Sequence, residues 1–338
     1  MPTAKNAKIE FETSQVLNAF AAMTDSGDHK VFTITGGTVW SGKSGKTPDV
    51  RPNGIVSGRN LLSAGATNDV VKVAAFTAFS QATEQSVNAT SATALRPTSA
   101  GYYKVNSITM ASDGSVAVVD GTEGVASSEV RDAAGGPPYI PLDSVEIGQV
   151  RVSSGTAALL VAAEMYQDVP THAERWDTPS LNEKNIGDGE AADAAAEKNA
   201  HIKFVSALAL SHTAGVPKRT YVKYYAPTLT EVERALDFVP ADESHAVGSE
   251  EYYRGSIAAV TSTIGQGTFR ALLNDGLTDS LIANKNQVLT VKFYPDENKA
   301  PYALTQGKIG ITRQNPFGAQ IAADVTISSE SITAEFSS

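Results

Sequence analysis

The chain has 338 residues, enough for two domains of ordinary size, and its net charge of -10 excludes a protein that grips nucleic acid by neutralising phosphates. It contains no cysteine, which excludes disulfides, thiolate metal sites and cysteine nucleophiles. Only 19% of residues are charged, while alanine, serine, threonine, glycine and valine abound, so the expected class is mainly β.

The first residues carry Glu10 and Glu12 rather than an apolar run, so no secretory signal is read there, and no stretch approaches the roughly 20 apolar residues of a membrane helix. The expectation is a soluble product made in the cytosol, with no membrane partner. Ile9 and Phe11 alternate, whereas Val16, Leu17, Phe20 and Ala21 follow helical spacing, predicting a strand that runs into a helix over 9–24. From 30 to 167 short strand candidates follow one another at 31–35, 70–79, 102–110, 115–119, 144–152 and 157–165. Asp113-Gly114 between two of them is a hairpin signal, because glycine tolerates the positive φ of a tight turn. This segment reads as one β domain.

Residues 168–200 turn polar and acidic, with Trp176 as the only large anchor and an alanine-rich end at 190–200, and read as a linker closing in one helix. Strands are expected at 204–210 and 219–225, then a short helix at 230–236 in which Thr230 and Glu233 have capping-box spacing. The acidic stretch 240–251 is long for a connection in a compact domain and reads as a loop ahead of a strand at 256–264. Thr268 then caps a predicted amphipathic helix with Phe269, Leu272 and Leu273 on one face, ending at Asp275-Gly276. Alternation returns at 288–294 through Leu289, Val291 and Phe293, and at 320–328 through Ile321, Ala323, Val325 and Ile327. Ile332, Ala334 and Phe336 continue it, so the last strand is expected to pair in a sheet. No repeat of 20 to 50 residues is present.

Several stretches imitate chemistry. Gly37-Thr-Val-Trp-Ser-Gly-Lys-Ser44 fits the Walker A letters after a predicted strand, yet Gly45, Pro48, Pro52 and Gly54 forbid the helix whose terminal amides would cradle phosphate, so Lys43 reads as part of a basic loop. Gly265-Gln-Gly267 resembles the start of a dinucleotide fingerprint, but Arg270 stands where its third glycine belongs, and Asp296 comes too late. His29, His172, His201, His212 and His245 show no paired ligand spacing, and Ser211-His212 lacks a nucleophile elbow. Glu231 with Glu233 and Glu250 with Glu251 read as solvated carboxylates. Asn88-Ala-Thr90 fits a glycosylation sequon without an export signal. No catalytic residue, metal or cofactor is assigned.

The chain resembles the major tail tube protein of long-tailed bacteriophages. The resemblance lies in Gly265-Gln-Gly-Thr-Phe-Arg-Ala-Leu-Leu-Asn-Asp-Gly276, Lys292-Phe-Tyr-Pro-Asp296, Leu304-Thr-Gln-Gly-Lys-Ile-Gly-Ile311 and Ala323-Asp-Val-Thr-Ile327, and it extends upstream through His212-Thr-Ala-Gly-Val-Pro-Lys218 and Tyr224-Tyr-Ala-Pro227. It implies a β-sandwich or barrel-like tube domain with a flanking α-helix over 201–338, joined by a strand and helix from 1–29. Residues 30–167 would then be an additional β-rich domain carried on the outside. It further implies a virion protein, not an enzyme, that stacks as hexameric rings into the conduit for genome DNA. Its partners would be its own copies and other tail proteins such as the tape measure and terminator, with DNA sliding through unbound. On that reading Ala322, Asp324, Thr326 and Ser328 face the lumen. An inter-ring loop carries Asp242, Glu243, Glu250 and Glu251, with Tyr252 and Tyr253 at its base. Competing readings are a capsid or decoration subunit and a carbohydrate-binding or adhesin β-sandwich.

Overall fold

The computed structural model describes residues 6–25, 27–34, 39–58, 60–167, 179–181, 201–205, 207, 220–252, 255–329 and 333–336, without the side chains of 179–181 and 246–261. The chain is mainly β. In order, the strands of the first half are β1 (Lys8–Asp25), β2 (Val31–Thr33), β3 (Asp49–Pro52), β4 (Gly54–Ser57), β5 (Leu62–Ala64), β6 (Val70–Val73), β7 (Phe76–Ser80), β8 (Thr83–Val87), β9 (Thr90–Thr93), β10 (Lys104–Met110), β11 (Val116–Val119), β12 (Val145–Val152) and β13 (Met165–Tyr166). There follow β14 (Pro179–Leu181), β15 (His201–Phe204), β16 (Thr220–Glu231), β17 (Ala235–Val239), β18 (Glu243–Tyr252), β19 (Gly255–Ile264), β20 (Gly267–Leu272), α1 (Ser280–Ala283), β21 (Val288–Tyr294), β22 (Tyr302–Gln314), β23 (Ala322–Ser329) and β24 (Ala334–Phe336).

A large antiparallel sheet runs β14-β15-β2-β1-β21-β22-β23-β20-β17, with β16 against β1, β3 against β16 and β24 against β22. β1 is its spine. One side pairs with β16 from Glu10 to Met23, while Lys8 to Phe11 also pair with β21, and Thr24 and Asp25 pair with β2. One end of β1 therefore feeds Ile9 and Phe11 into a core with Phe269, Leu289, Val291, Ile309, Val325 and Ile327. The other end feeds Met23 into a second core with Phe32, Trp40, Ile202, Val222 and Tyr224.

The strand-to-helix expectation for 9–24 is corrected here: β1 is one strand interrupted between Glu12 and Ser14 and between Asn18 and Ala21. Each register shift resets the alternation of side chains, and that reset imitated helical spacing. The predicted helix at 268–276 is instead strand β20 as far as Leu272, followed by irregular chain. Phe269, Ala271 and Leu273 are buried while Arg270 is exposed, so the true period is two, and a small alanine concealed it. The predicted helix at 230–236 is the end of β16, a turn over 232–234 and the start of β17. The one helix of the α type among the described residues is the single turn α1.

The strands of 288–294 and 320–328 fall where the alternation places them. β24 pairs with β22 and stacks Phe336 on Tyr302 at 4.7 Å between centroids, so the last strand is paired as expected. Candidate 70–79 divides into β6 and β7, and 157–165 is irregular up to a 3₁₀ turn at Ala162–Glu164. The helix expected at 190–200 and the anchor Trp176 lie outside the described residues.

Between Gly54 and Tyr166 three separate sheets form, β11-β10-β12-β13, β4-β7-β8 and β5-β6-β9, around a core that includes Leu61, Val71, Ile108, Met110, Ile147 and Val150. β2 and β3, within the segment read as the additional domain, instead pair in the large sheet. An aromatic seam joins the two bodies: Phe79 meets Phe20 at 5.0 Å and Tyr221 at 5.7 Å, both edge to face, with Arg51 over the rings of Phe20 and Phe79. Asp113-Gly114 does turn the β10–β11 hairpin, with Gly114 at φ 82°.

The β7–β8 hairpin is tighter. Ser80 pairs with Thr83, leaving a two-residue loop in which Gln81 and Ala82 both take positive φ, 47° and 63°. A methyl group in that region costs about 1 kcal/mol, so Ala82→Gly is expected to stabilise the added domain by that order. Denaturant melts of the two proteins check it, and an unchanged or lower midpoint would contradict it.

Candidate assembly surfaces

The C-terminal strands present one apolar and one polar face. Across β20, β23 and β22 the register sets Arg270 beside Asp324 beside Thr312, and Thr268 beside Thr326 beside Gly310. The Arg270 guanidinium lies 3.8 Å from Asp324, whose other oxygen accepts from Gln314 Nε2 at 2.5 Å. Gln266 Nε2 donates to Ser328 Oγ at 3.1 Å, and Lys308 stands exposed opposite Ser328. The face is small-grained, hydrogen-bonded and nearly charge-balanced. A Cβ on Gly310 would come within 2.4 Å of Thr326 Oγ1, so glycine keeps the surface shallow there.

Asp324, Thr326 and Ser328 stand on this face, opposite Val325 and Ile327, as the alternation placed them. Ala322 does not present a surface: it is 1% exposed, a methyl group flanked in register by the longer Leu272 and Gln314.

The stretch 240–251 is not an irregular loop. Glu243 to Tyr252 pairs residue for residue with Gly255 to Ile264, forming a two-stranded arm that joins no other sheet among the described residues. Small residues and glutamates at 243–252 give no apolar alternation, so the sequence hid β18, whereas β19 falls on the strand expected at 256–264. At the foot of the arm Asp242, Glu243, Ser244 and His245 on one strand, and Ser262, Thr263 and Ile264 on the other, are all exposed. Glu250, Glu251 and Tyr252 lie toward its tip, and Tyr253 lies outside the described residues. Tyr252 therefore belongs to the tip rather than the base. The arm is rooted firmly: buried Ala241 receives Thr333 N–H at 2.9 Å and donates to Thr333 Oγ1 at 2.7 Å, and Thr333 also meets Thr305 Oγ1 at 2.8 Å.

A buried carboxylate, missed in the sequence, organises the Walker-like stretch. Glu12 is 0% exposed at the first register shift of β1. One oxygen accepts from Gln15 Nε2 at 2.7 Å and from Ser41 Oγ, and the other accepts from Thr290 N–H at 3.1 Å. Gln306 Nε2 donates to the Trp40 carbonyl at 2.8 Å and to Thr290 Oγ1 at 3.1 Å, which pins the same loop. Lys43 lies in a bend, Ser44 and Gly45 form a turn, and the next regular element is β3, so the described part builds no amide cradle. Gly37 lies outside the described residues. Gly265-Gln-Gly267 joins two strands, β19 and β20, and no helix follows it.

Near the opposite end of β22, Asp275 accepts from Thr278 Oγ1, and from the N–H groups of Leu277 and Thr278 at 2.7 Å each. The Thr278 hydroxyl first, then these amides, hold its carboxyl far below the ordinary range. A depressed carboxylate contributes stability above its unfolded pKa and loses it only as pH falls through the folded value, so this turn should stay closed in mild acid. NMR titration of Asp275 checks this, and a midpoint near 4 would contradict it. Beside the turn, Leu277 and Phe317 are exposed at 73% and 107%.

Among the described residues no three histidine, aspartate or glutamate side chains form a metal-sized group, and no helix is long and apolar enough to cross a membrane. His172 and His212 lie outside the described residues, as does the matching stretch 212–218. No family model, no curated protein and no solved structure matches the chain.

Proposed function

We propose that the chain is a structural virion protein that polymerises as stacked hexameric rings into a phage tail tube, the conduit for genome DNA. The observation that carries the reading is the arm of β18 and β19, which leaves the main sheet with open edges and an exposed foot. Such an element gains its packing from a neighbour. The polar face of β20, β22 and β23 suits a lumen: it is shallow, its arginine is paired with Asp324, and it offers few free cations to a passing polyanion. The total charge of -10 points the same way. In this reading the three sheets between 54 and 166 sit outside the tube. The partners are its own copies, with tape measure and terminator proteins at the ends.

Negative-stain microscopy of the purified protein tests it. Rings of sixfold symmetry or hollow tubes are expected without any added cofactor. Closed shells would favour a capsid or decoration subunit, and monomers at every concentration and salt would refute self-assembly.

A further inference from the structure

We propose that β1 between Ser14 and Ala22 is an acceptor edge to which β19 of a second copy adds as an extra strand. Beyond Phe11, the last partner of β21, and before Thr24, the first partner of β2, no described strand pairs with the side of β1 opposite β16. That stretch contains no charged residue and no proline. Val16 is 59% exposed, Leu17 is 52% exposed, and Ala19, Ala21 and Ala22 are exposed with them. Soluble proteins guard an open edge with lysine, proline or a covering loop, and here none of these is present among the described residues.

The arm has the complementary deficiency. Among the described residues β19 pairs only with β18, and from Gly255 to Ile264 it too is uncharged. A two-stranded hairpin is marginally stable in water, and a third strand supplies what it lacks. Both stretches run about 30 Å at the rise of an extended chain, so a ladder interrupted only at the register shift between Asn18 and Ala21 can form between them. Pairing two β1 edges would close a dimer and leave the arm bare. Arm on edge uses two different surfaces of the same chain, so each copy can accept one neighbour and reach another, and the assembly extends. The inference rests on the self-assembly reading in needing a second copy, but on neither ring nor tube.

The absence of cysteine makes the test clean, because Leu17→Cys carries a benzophenone maleimide label at one site only. After illumination of the assembled full-length protein, peptide mapping is expected to find the label joined to residues 255–264 of another copy. Val16→Lys with Leu17→Lys should raise the concentration needed for assembly about tenfold or more, with the melting midpoint unchanged because both side chains are exposed. Label joined instead to residues 13–24 of another copy, or tubes that form normally with both lysines, would overturn the proposal and leave the tube reading standing. Cross-linked oligomers that are neither rings nor tubes would uphold it and remove the tube. A wild-type chain that stays monomeric and uncross-linked would remove both.

Discussion

Excising Ser244 to Thr263 and joining Glu243 to Ile264 through Asn-Gly should abolish tube growth while leaving the subunit folded. Glu243 and Ile264 face each other in the first pair of the arm, so a two-residue turn spans them without moving the root. The hydrogen bonds of Ala241 with Thr333, and of Gly265 N–H with the Asp242 carbonyl at 2.8 Å, lie below the cut and survive it. The arm residues whose side chains are described, 243–245 and 262–264, are all exposed, so the melting midpoint should shift by a degree or two at most. Microscopy and sedimentation read the outcome. Tubes of normal length from this variant would show that stacking is carried elsewhere.

The second large effect is expected inside the subunit. Glu12→Ala removes the acceptor of the Thr290 N–H, the Ser41 hydroxyl and the Gln15 amide together, and opens a cavity between β1, β21 and the loop at 39–48. Stranded buried donors and the void together should cost about 3 kcal/mol or more. Glu12→Gln keeps one acceptor oxygen and should cost less. The loop also carries Trp40, wholly buried against Tyr224, so a red shift of tryptophan emission should precede global unfolding in the alanine variant. A loss below about 0.5 kcal/mol would mean that the loop is held by Trp40 packing alone.

The strands legible in the sequence were those with one wet and one dry face. In sequence β21 and β23 set Leu289, Val291, Phe293, Ala323, Val325 and Ile327 at alternate positions, which located both strands and most of the polar face of β23, although Thr290 and Ala322 are buried as well. β20 failed for a specific reason: Phe269, Leu272 and Leu273 satisfy a helical spacing, while Phe269, Ala271 and Leu273 satisfy a strand, and the larger residues outweighed the alanine. Sheet neighbours decided it, because Gly267 to Leu272 pairs throughout with Ala322 to Ile327. Thr230 and Glu233 have capping-box spacing, yet without an apolar stripe behind it that spacing specifies no helix, and the Thr230 hydroxyl meets Thr13 Oγ1 at 2.8 Å instead. Glu12 was invisible as a site because nothing local marks a glutamate whose partners lie at Ser41 and Thr290.

The placement of β1 also governs when the molecule can close. It is synthesised before every strand it pairs with, and Phe11 has to wait for Thr230 on one side and Val291 on the other. Among the described residues the strands between 54 and 166 pair only with one another and can collapse as they leave the ribosome, whereas the spine of the large sheet remains single for most of translation. For that interval a strand whose middle, 14–22, is uncharged sits in the open among nascent chains that carry the same strand. Soluble yield should therefore depend on how fast the second half arrives, and slowing elongation between β13 and β16 should lower it even though the finished fold is identical.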